Sequence, residues 1–135
     1  DGAFGISMNE MTACGRDEWP AITMVIVRNY QWGAEKRNTT LWYHDNFVGT
    51  ELNRNVSYAD IAKACGVDGV QVMTPDELTE TLNAAIKAQM EEGKTTFIEV
   101  MTNQELGEPF RRDAMTTPVP VAGIDKADMR SQKGV

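Results

Sequence analysis

Residues 69 to 101 carry the feature that most restricts the fold. A short apolar run, "GVQVM" (69–73), leads into "TPDELTETLNAAIKAQMEEG" and then into a second apolar run, "TTFIEVM" (95–101). In the middle segment Leu78, Leu82, Ala85, Ile86 and Met90 fall on one helical face. Thr74 is placed to cap that helix, Pro75 suits its first position, Glu77 completes a Thr-x-x-Glu capping box, and Gly93 ends it. Strands that alternate with a helix of this length predict a parallel α/β layer with right-handed crossovers.

The rest of the chain extends this pattern. "AITMVIVR" (21–28), with Pro20 before it, reads as a strand covered on both faces. Tyr58, Ile61, Ala62 and Cys65 recur at helical spacing, with Ser57 and Asp60 in a capping arrangement and Gly66 just beyond. The expected fold class is therefore α/β, a parallel sheet with helices on both faces and strands near 22–28, 69–73 and 95–101. Residues 34 to 56 carry Leu41, Trp42, Tyr43 and Phe47 without a clean period, which predicts a short helix and loop on the sheet edge. From Asn103 onward, with Pro109, Pro118 and Pro120, the sequence is irregular.

Composition narrows the partners. The 135 residues suffice for one domain with a sizeable core. A formal net charge of −7, with no Lys/Arg cluster longer than "EKR" or "FRR", argues against a general nucleic-acid surface. No run approaches the roughly 18 apolar residues of a membrane span, and nothing at the start reads as a signal peptide. Cys14 and Cys65 stand in no metal-ligand spacing, which fits reduced, buried residues of a cytoplasmic protein.

The chemistry gathers at two places. The sequence opens on "DGAFGISMNE", which predicts a turn at Asp1-Gly2-Ala3 and then a helix near "SMNEMTAC" with Met8, Met11 and Ala13 or Cys14 facing inward. The strand at 21–28 runs into Asn29. Strand ends of a doubly wound sheet share one carboxyl edge, where ligands bind, so Asp1 and Asn29 are expected to meet there. A carboxylate oxygen, an amide oxygen and a backbone carbonyl from the loop beyond are hard ligands suited to Mg²⁺. Gly2 and the small Ala3 admit a phosphate close to the backbone, and a helix N-terminus beside it favours negative charge by about 0.3 to 2 kcal/mol. Taken singly, an Asp-Gly is usually a turn and an Asn after a strand a loop residue; the joint spacing carries the argument.

With those residues in place, the chain resembles the thiamine-diphosphate-dependent enzymes related to acetohydroxyacid synthase and pyruvate oxidase. That family carries Gly-Asp-Gly, a spacer of this size, and an Asn whose second following residue lends a backbone carbonyl to Mg²⁺; "DGA…RNYQ" matches all but the first glycine. The resemblance implies Asp1 and Asn29 as side-chain metal ligands, Gln31 as a carbonyl ligand, and Gly2, Ala3, Trp32 and Gly33 along the diphosphate. The implied cofactors are thiamine diphosphate and Mg²⁺. "GISMNEM", "QWGAEK", "EGKTTFIEVM" and "ELGEPFRRDAM" look like an acetyl-transferring branch that releases sulfite from a sulfonated aldehyde and passes the acetyl group to phosphate. Synthase or oxidase chemistry on the same cofactor is the near alternative.

The same resemblance implies a cofactor-binding domain at 1–115 that lacks its first strand, with an irregular tail at 116–135. It implies a longer, homo-oligomeric enzyme acting on a small molecule, whose catalytic Glu sits on a pyrimidine-binding domain of the same or a neighbouring subunit. No catalytic residue is then expected in this segment. Arg111 and Arg112 are candidates to hold a sulfonate or phosphate through forked hydrogen bonds, against the commoner reading of a solvated surface or a domain contact. Lys36, Arg37, Glu10 and the single His44 read as surface or structural residues, and Trp42, Tyr43 and Phe47 as packing. Two readings of other classes stay open: a non-catalytic module binding a nucleotide or partner at the carboxyl edge, and a structural, dimerising half.

Overall fold

Strands form at the three apolar runs, as β1 (Thr23–Arg28), β2 (Asp68–Val72) and β3 (Thr96–Met101). The structure, a computed structural model, describes residues 1–104, the side chain of Leu41 excepted. These fall into two units, one of residues 1–30 and 53–103, the other containing residues 31–52 and Gln104.

The first unit holds the sheet. All pairings are parallel, in the order β1-β3-β2, with Val25 and Val70 both opposite Ile98, and Ile26 and Gln71 both opposite Glu99. The central β3 is the most buried of the three, as the sheet's middle position requires. Because side chains alternate along a strand, the sheet has two distinct faces. On one, Ile26 and Phe97 join Met11, Tyr58, Ala62 and Val67 in a core flanked by Phe4, Met8 and Cys14. On the other, Val72, Ile98 and Val100 pack against Leu78, Leu82 and Ala85 of the helix that follows β2. Fully burying a side chain of this size stabilises by about 1.5–3 kcal/mol.

The helices follow their capping residues. Before β1 the chain forms α1 (Gly2–Ile6), a 3₁₀ turn (Met8–Glu10) and α2 (Met11–Cys14). In the second unit lies α3 (Gly33–Trp42). Helix α4 (Tyr58–Ala64) begins at Ser57, whose hydroxyl accepts the Asp60 N–H at 3.1 Å. Helix α5 (Pro75–Lys87) has the full capping box: Thr74 Oγ1 accepts from the Glu77 N–H, and the Glu77 carboxylate accepts from the Thr74 N–H. Gly93 ends that segment at φ 66°, a conformation that strains a residue with a Cβ. Gly69 has a different reason: a Cβ there would lie 2.0 Å from the Ala59 carbonyl oxygen, so only glycine lets α4 cross β2 this closely.

Three expectations need correction. Helix starts at Gly2, with the Gly5 N–H bonded to the Asp1 carbonyl at 3.0 Å, instead of after a turn at Asp1-Gly2-Ala3. Strand β1 is not covered on both faces: Val25 and Val27 are 48% and 59% exposed, because β1 is an edge strand and α5 packs over its neighbours. Ile86, in α5, and Met90 are also exposed; Met90 lies in a π turn over Ala88–Glu92 that shifts the phase of the helix's last residues. Cys14 and Cys65 are free as expected but half-buried where full burial was expected, both packing against the core from its margin.

The second unit begins at Gln31, which forms an isolated antiparallel bridge with Glu51. Trp42 is half-buried, whereas Tyr43, His44 and Phe47 are exposed, so two of the three aromatics are not packing residues within the described chain. No helix among the described residues is long and apolar enough to cross a membrane.

Candidate functional site

The carboxyl edge of β1 is where Asp1 comes to lie. The Asp1 nitrogen donates to the Val27 carbonyl at 3.2 Å, and the Asp1 carboxylate accepts the Tyr30 N–H on Oδ2 at 3.2 Å. Asp1 thus grips the chain on both sides of Asn29, which is half-buried between them. These two contacts bring Asp1 to the end of β1. Tyr30 adopts φ 61°, a left-handed backbone uncommon for a bulky residue, and this turn aims its N–H at the Asp1 carboxylate.

Beneath the turn lies a charged network that the sequence reading did not anticipate. Arg28 and Glu99 have 1% and 0% of their surface exposed and form a buried ion pair through Arg28 Nη1. Arg28 Nη2 donates to the Asn53 carbonyl at 3.1 Å, and its Nε, 3.9 Å from Asp1 Oδ2, has no hydrogen-bond partner among the described residues. Its guanidinium carbon sits 4.8 Å from the Tyr30 ring centroid and 4.7 Å from that of Tyr58, within cation–π range. Arg54 approaches the Tyr30 ring at 5.1 Å.

Glu99 is held from three further directions. It accepts the N–H groups of Tyr58 at 3.3 Å and Ala59 at 3.0 Å, at the start of α4, and the Gln71 amide at 2.9 Å. Burial pushes its carboxyl up, but the hydrogen bonds from Ala59, Gln71, Arg28 and Tyr58 outweigh that and hold it below the usual carboxylate range. The signal was present in the sequence as one acidic residue inside "TTFIEVM" and one arginine ending "MVIVR".

The remaining site residues divide by unit. Gly2 is buried as the first residue of α1, and Ala3 is exposed. Gln31 is buried; its amide donates to the Gln104 carbonyl at 3.1 Å and accepts from Lys36 Nζ at 3.0 Å, while Lys36 also pairs with Glu51. Lys36 is therefore an internal partner and not only a solvated residue. Trp32 precedes α3 and donates its N–H to the Thr50 carbonyl at 2.8 Å, and Gly33 opens the helix. Arg111, Arg112 and the tail at 116–135 lie outside the described residues.

The donor chemistry suits a divalent cation with oxygen preference. Among the described residues no group of three or more His, Cys, Asp or Glu gathers in a metal-binding cluster. What Asp1 and Asn29 offer is one carboxylate plus amide oxygen, a sparse set that fits Mg²⁺ because that ion keeps coordination sites for phosphate oxygens and water.

Comparison with known proteins gives a consistent result. The family described as thiamine pyrophosphate enzyme, C-terminal TPP binding domain, matches residues 1–100. The chain is 72% identical over 133 residues to a probable sulfoacetaldehyde acetyltransferase of Rhizobium meliloti, covering 98% of this chain and 22% of that protein. It is 70% identical over 133 residues to the sulfoacetaldehyde acetyltransferase of Roseovarius nubinhibens, again covering 98% of this chain and 22% of the relative. Against the enzyme of the same name from Alcaligenes xylosoxydans the identity is 47% over 119 residues, covering 88% of this chain and 19% of the relative. The chain spans about a fifth of the length of these curated relatives.

Proposed function

From the premise that this chain belongs to the thiamine pyrophosphate enzymes, as their C-terminal TPP-binding domain, we propose that it is the diphosphate- and Mg²⁺-binding part of a sulfoacetaldehyde acetyltransferase. The whole enzyme converts sulfoacetaldehyde and phosphate to acetyl phosphate and sulfite. The observation that carries the reading is the 70–72% identity over nearly the whole chain to relatives of that name, joined to a carboxylate fixed beside Asn29 at the carboxyl edge.

In this reading Asp1 and Asn29 bind Mg²⁺ through their side-chain oxygens and Gln31 lends its backbone carbonyl. Gly2, Ala3, Trp32 and Gly33 line the diphosphate, the glycines because a side chain there would hold the phosphates away from the backbone N–H groups. Thiamine diphosphate, when bound, would supply a nucleophilic carbon, chemistry no protein side chain offers. This chain's part is to anchor and orient the diphosphate end. The acid–base residue acting on the other end of the cofactor belongs to a pyrimidine-binding domain of the same or a neighbouring subunit, in a cytoplasmic homo-oligomer. Arg111 and Arg112 keep their proposed role as holders of the sulfonate or phosphate.

The test is an assay of the full-length enzyme. Sulfoacetaldehyde plus phosphate should yield sulfite and acetyl phosphate in equal amounts. Consumption of pyruvate, with sulfoacetaldehyde untouched, would overturn the substrate assignment and leave the cofactor assignment standing.

A further inference from the structure

We infer that Arg28, acting through Glu99 and Tyr30, is a positioning residue for the metal loop: it sets the backbone at residues 28–30 so that Asp1 and Asn29 are in place before a cation arrives. The inference rests on the metal reading above.

Three observations support it. The loop contains strain exactly where a metal site would need a fixed shape, since Tyr30 holds φ 61° without being glycine, and such conformations persist only where the surroundings over-determine them. Arg28 supplies those surroundings: its guanidinium lies against the Tyr30 ring at 4.8 Å, and its Nη2 ties the loop to the Asn53 carbonyl at 3.1 Å. Arg28 is in turn immobilised by Glu99, which the α4 N–H groups and Gln71 hold rigidly. The chain of contacts therefore runs from α4 through Glu99 and Arg28 to Tyr30, and ends at the N–H that orients Asp1 Oδ2.

Charge explains why a pair is used. An unbalanced guanidinium 3.9 Å from the Asp1 carboxylate would compete with a divalent cation for it. Glu99 cancels that charge, so Arg28 contributes its planar fork and its stacking surface without repelling the metal. A lysine at this position would keep the charge and lose both the fork and the plane.

The experiment measures Mg²⁺-dependent thiamine diphosphate binding by calorimetry in the full-length protein, together with thermal unfolding. Arg28→Lys and Tyr30→Ala are compared with Val67→Ala, a buried core change just before β2. The expected result is a rise of about tenfold or more in the Mg²⁺ needed for cofactor binding in the first two. Val67→Ala should lower the melting temperature and leave the Mg²⁺ requirement within about twofold of wild type. Tyr30→Ala keeps a Cβ in the φ 61° backbone and removes only the ring that Arg28 packs against, so it decides the matter if Arg28→Lys fails to fold. An unchanged Mg²⁺ requirement in Tyr30→Ala, or one that tracks melting temperature equally in all three variants, overturns the positioning role. Wild-type protein that binds the cofactor equally well without Mg²⁺ overturns the metal reading itself, and the two failures are told apart by which protein shows them.

Discussion

Replacing Glu99 by glutamine should be among the most damaging single-atom changes available to this fold. The substitution keeps the shape but removes the charge and turns one acceptor oxygen into an NH2 donor, which must then face two of the donors that Glu99 now accepts from. Glu99 accepts from Arg28 Nη1, from the N–H groups of Tyr58 and Ala59, and from the Gln71 amide. A hydrogen bond to a charged group is worth about 1.5–3 kcal/mol and a neutral one about 0.5–1.5. Losing about 1 kcal/mol at each of these bonds sums to roughly 4 kcal/mol, in line with the 3–5 kcal/mol typical of breaking a buried ion pair from one side. The asymmetry is a second handle. Arg28→Met leaves Glu99 with its α4 and Gln71 donors, whereas Glu99→Leu leaves Arg28 with only the Asn53 carbonyl and a carboxylate 3.9 Å away. Glu99→Leu should therefore cost more, and the double variant Arg28→Met/Glu99→Leu less than the sum of the two. Urea unfolding of the 135-residue chain, followed by tryptophan fluorescence, reads both quantities. A loss below about 1 kcal/mol for Glu99→Gln, or strict additivity in the cycle, would refute the reasoning.

Other perturbations follow from single contacts. Gly69→Ala places a methyl carbon 2.0 Å from the Ala59 carbonyl and should displace α4 at a cost of about 1–3 kcal/mol, visible as a lower denaturation midpoint. Thr74→Ala removes the α5 cap and should cost about 0.5–2 kcal/mol, whereas Thr74→Ser should recover most of it. Acid should act through Glu99: its folded pKa lies below its unfolded value of about 4.3. Its stabilisation is thus complete above that value and is lost as pH falls through the folded one. A pH series of unfolding midpoints should fall more steeply below about pH 4.3 in wild type than in Glu99→Gln.

The strands, their parallel pairing and the two capped helices were legible because each rests on local chemistry: β-branched runs, a Thr-Pro-x-Glu cap, a glycine at a helix end. The meeting of Asp1 with the end of β1 was legible from spacing and topology together. The Arg28–Glu99 pair was not, since periodicity classes residues as apolar or polar and reports nothing about which buried charge finds which partner 71 positions away. The exposure of Val25, Val27, Ile86 and Met90 was hidden for a related reason: an apolar run signals a surface that favours burial, and only the sheet order shows that β1 lies at an edge. The left-handed turn at Tyr30 was invisible because no glycine or asparagine occupies that position to announce it.

The central claim is that Asp1 and Asn29 form one metal-dependent diphosphate site, and calorimetric titration of the full-length protein with thiamine diphosphate, with and without Mg²⁺, tests it most directly. Wild type should bind only with Mg²⁺, and Asp1→Ala and Asn29→Ala should each weaken that binding by at least about tenfold, the least that losing even an outer partner of a metal usually costs. Cofactor affinity unchanged in both variants would contradict the account.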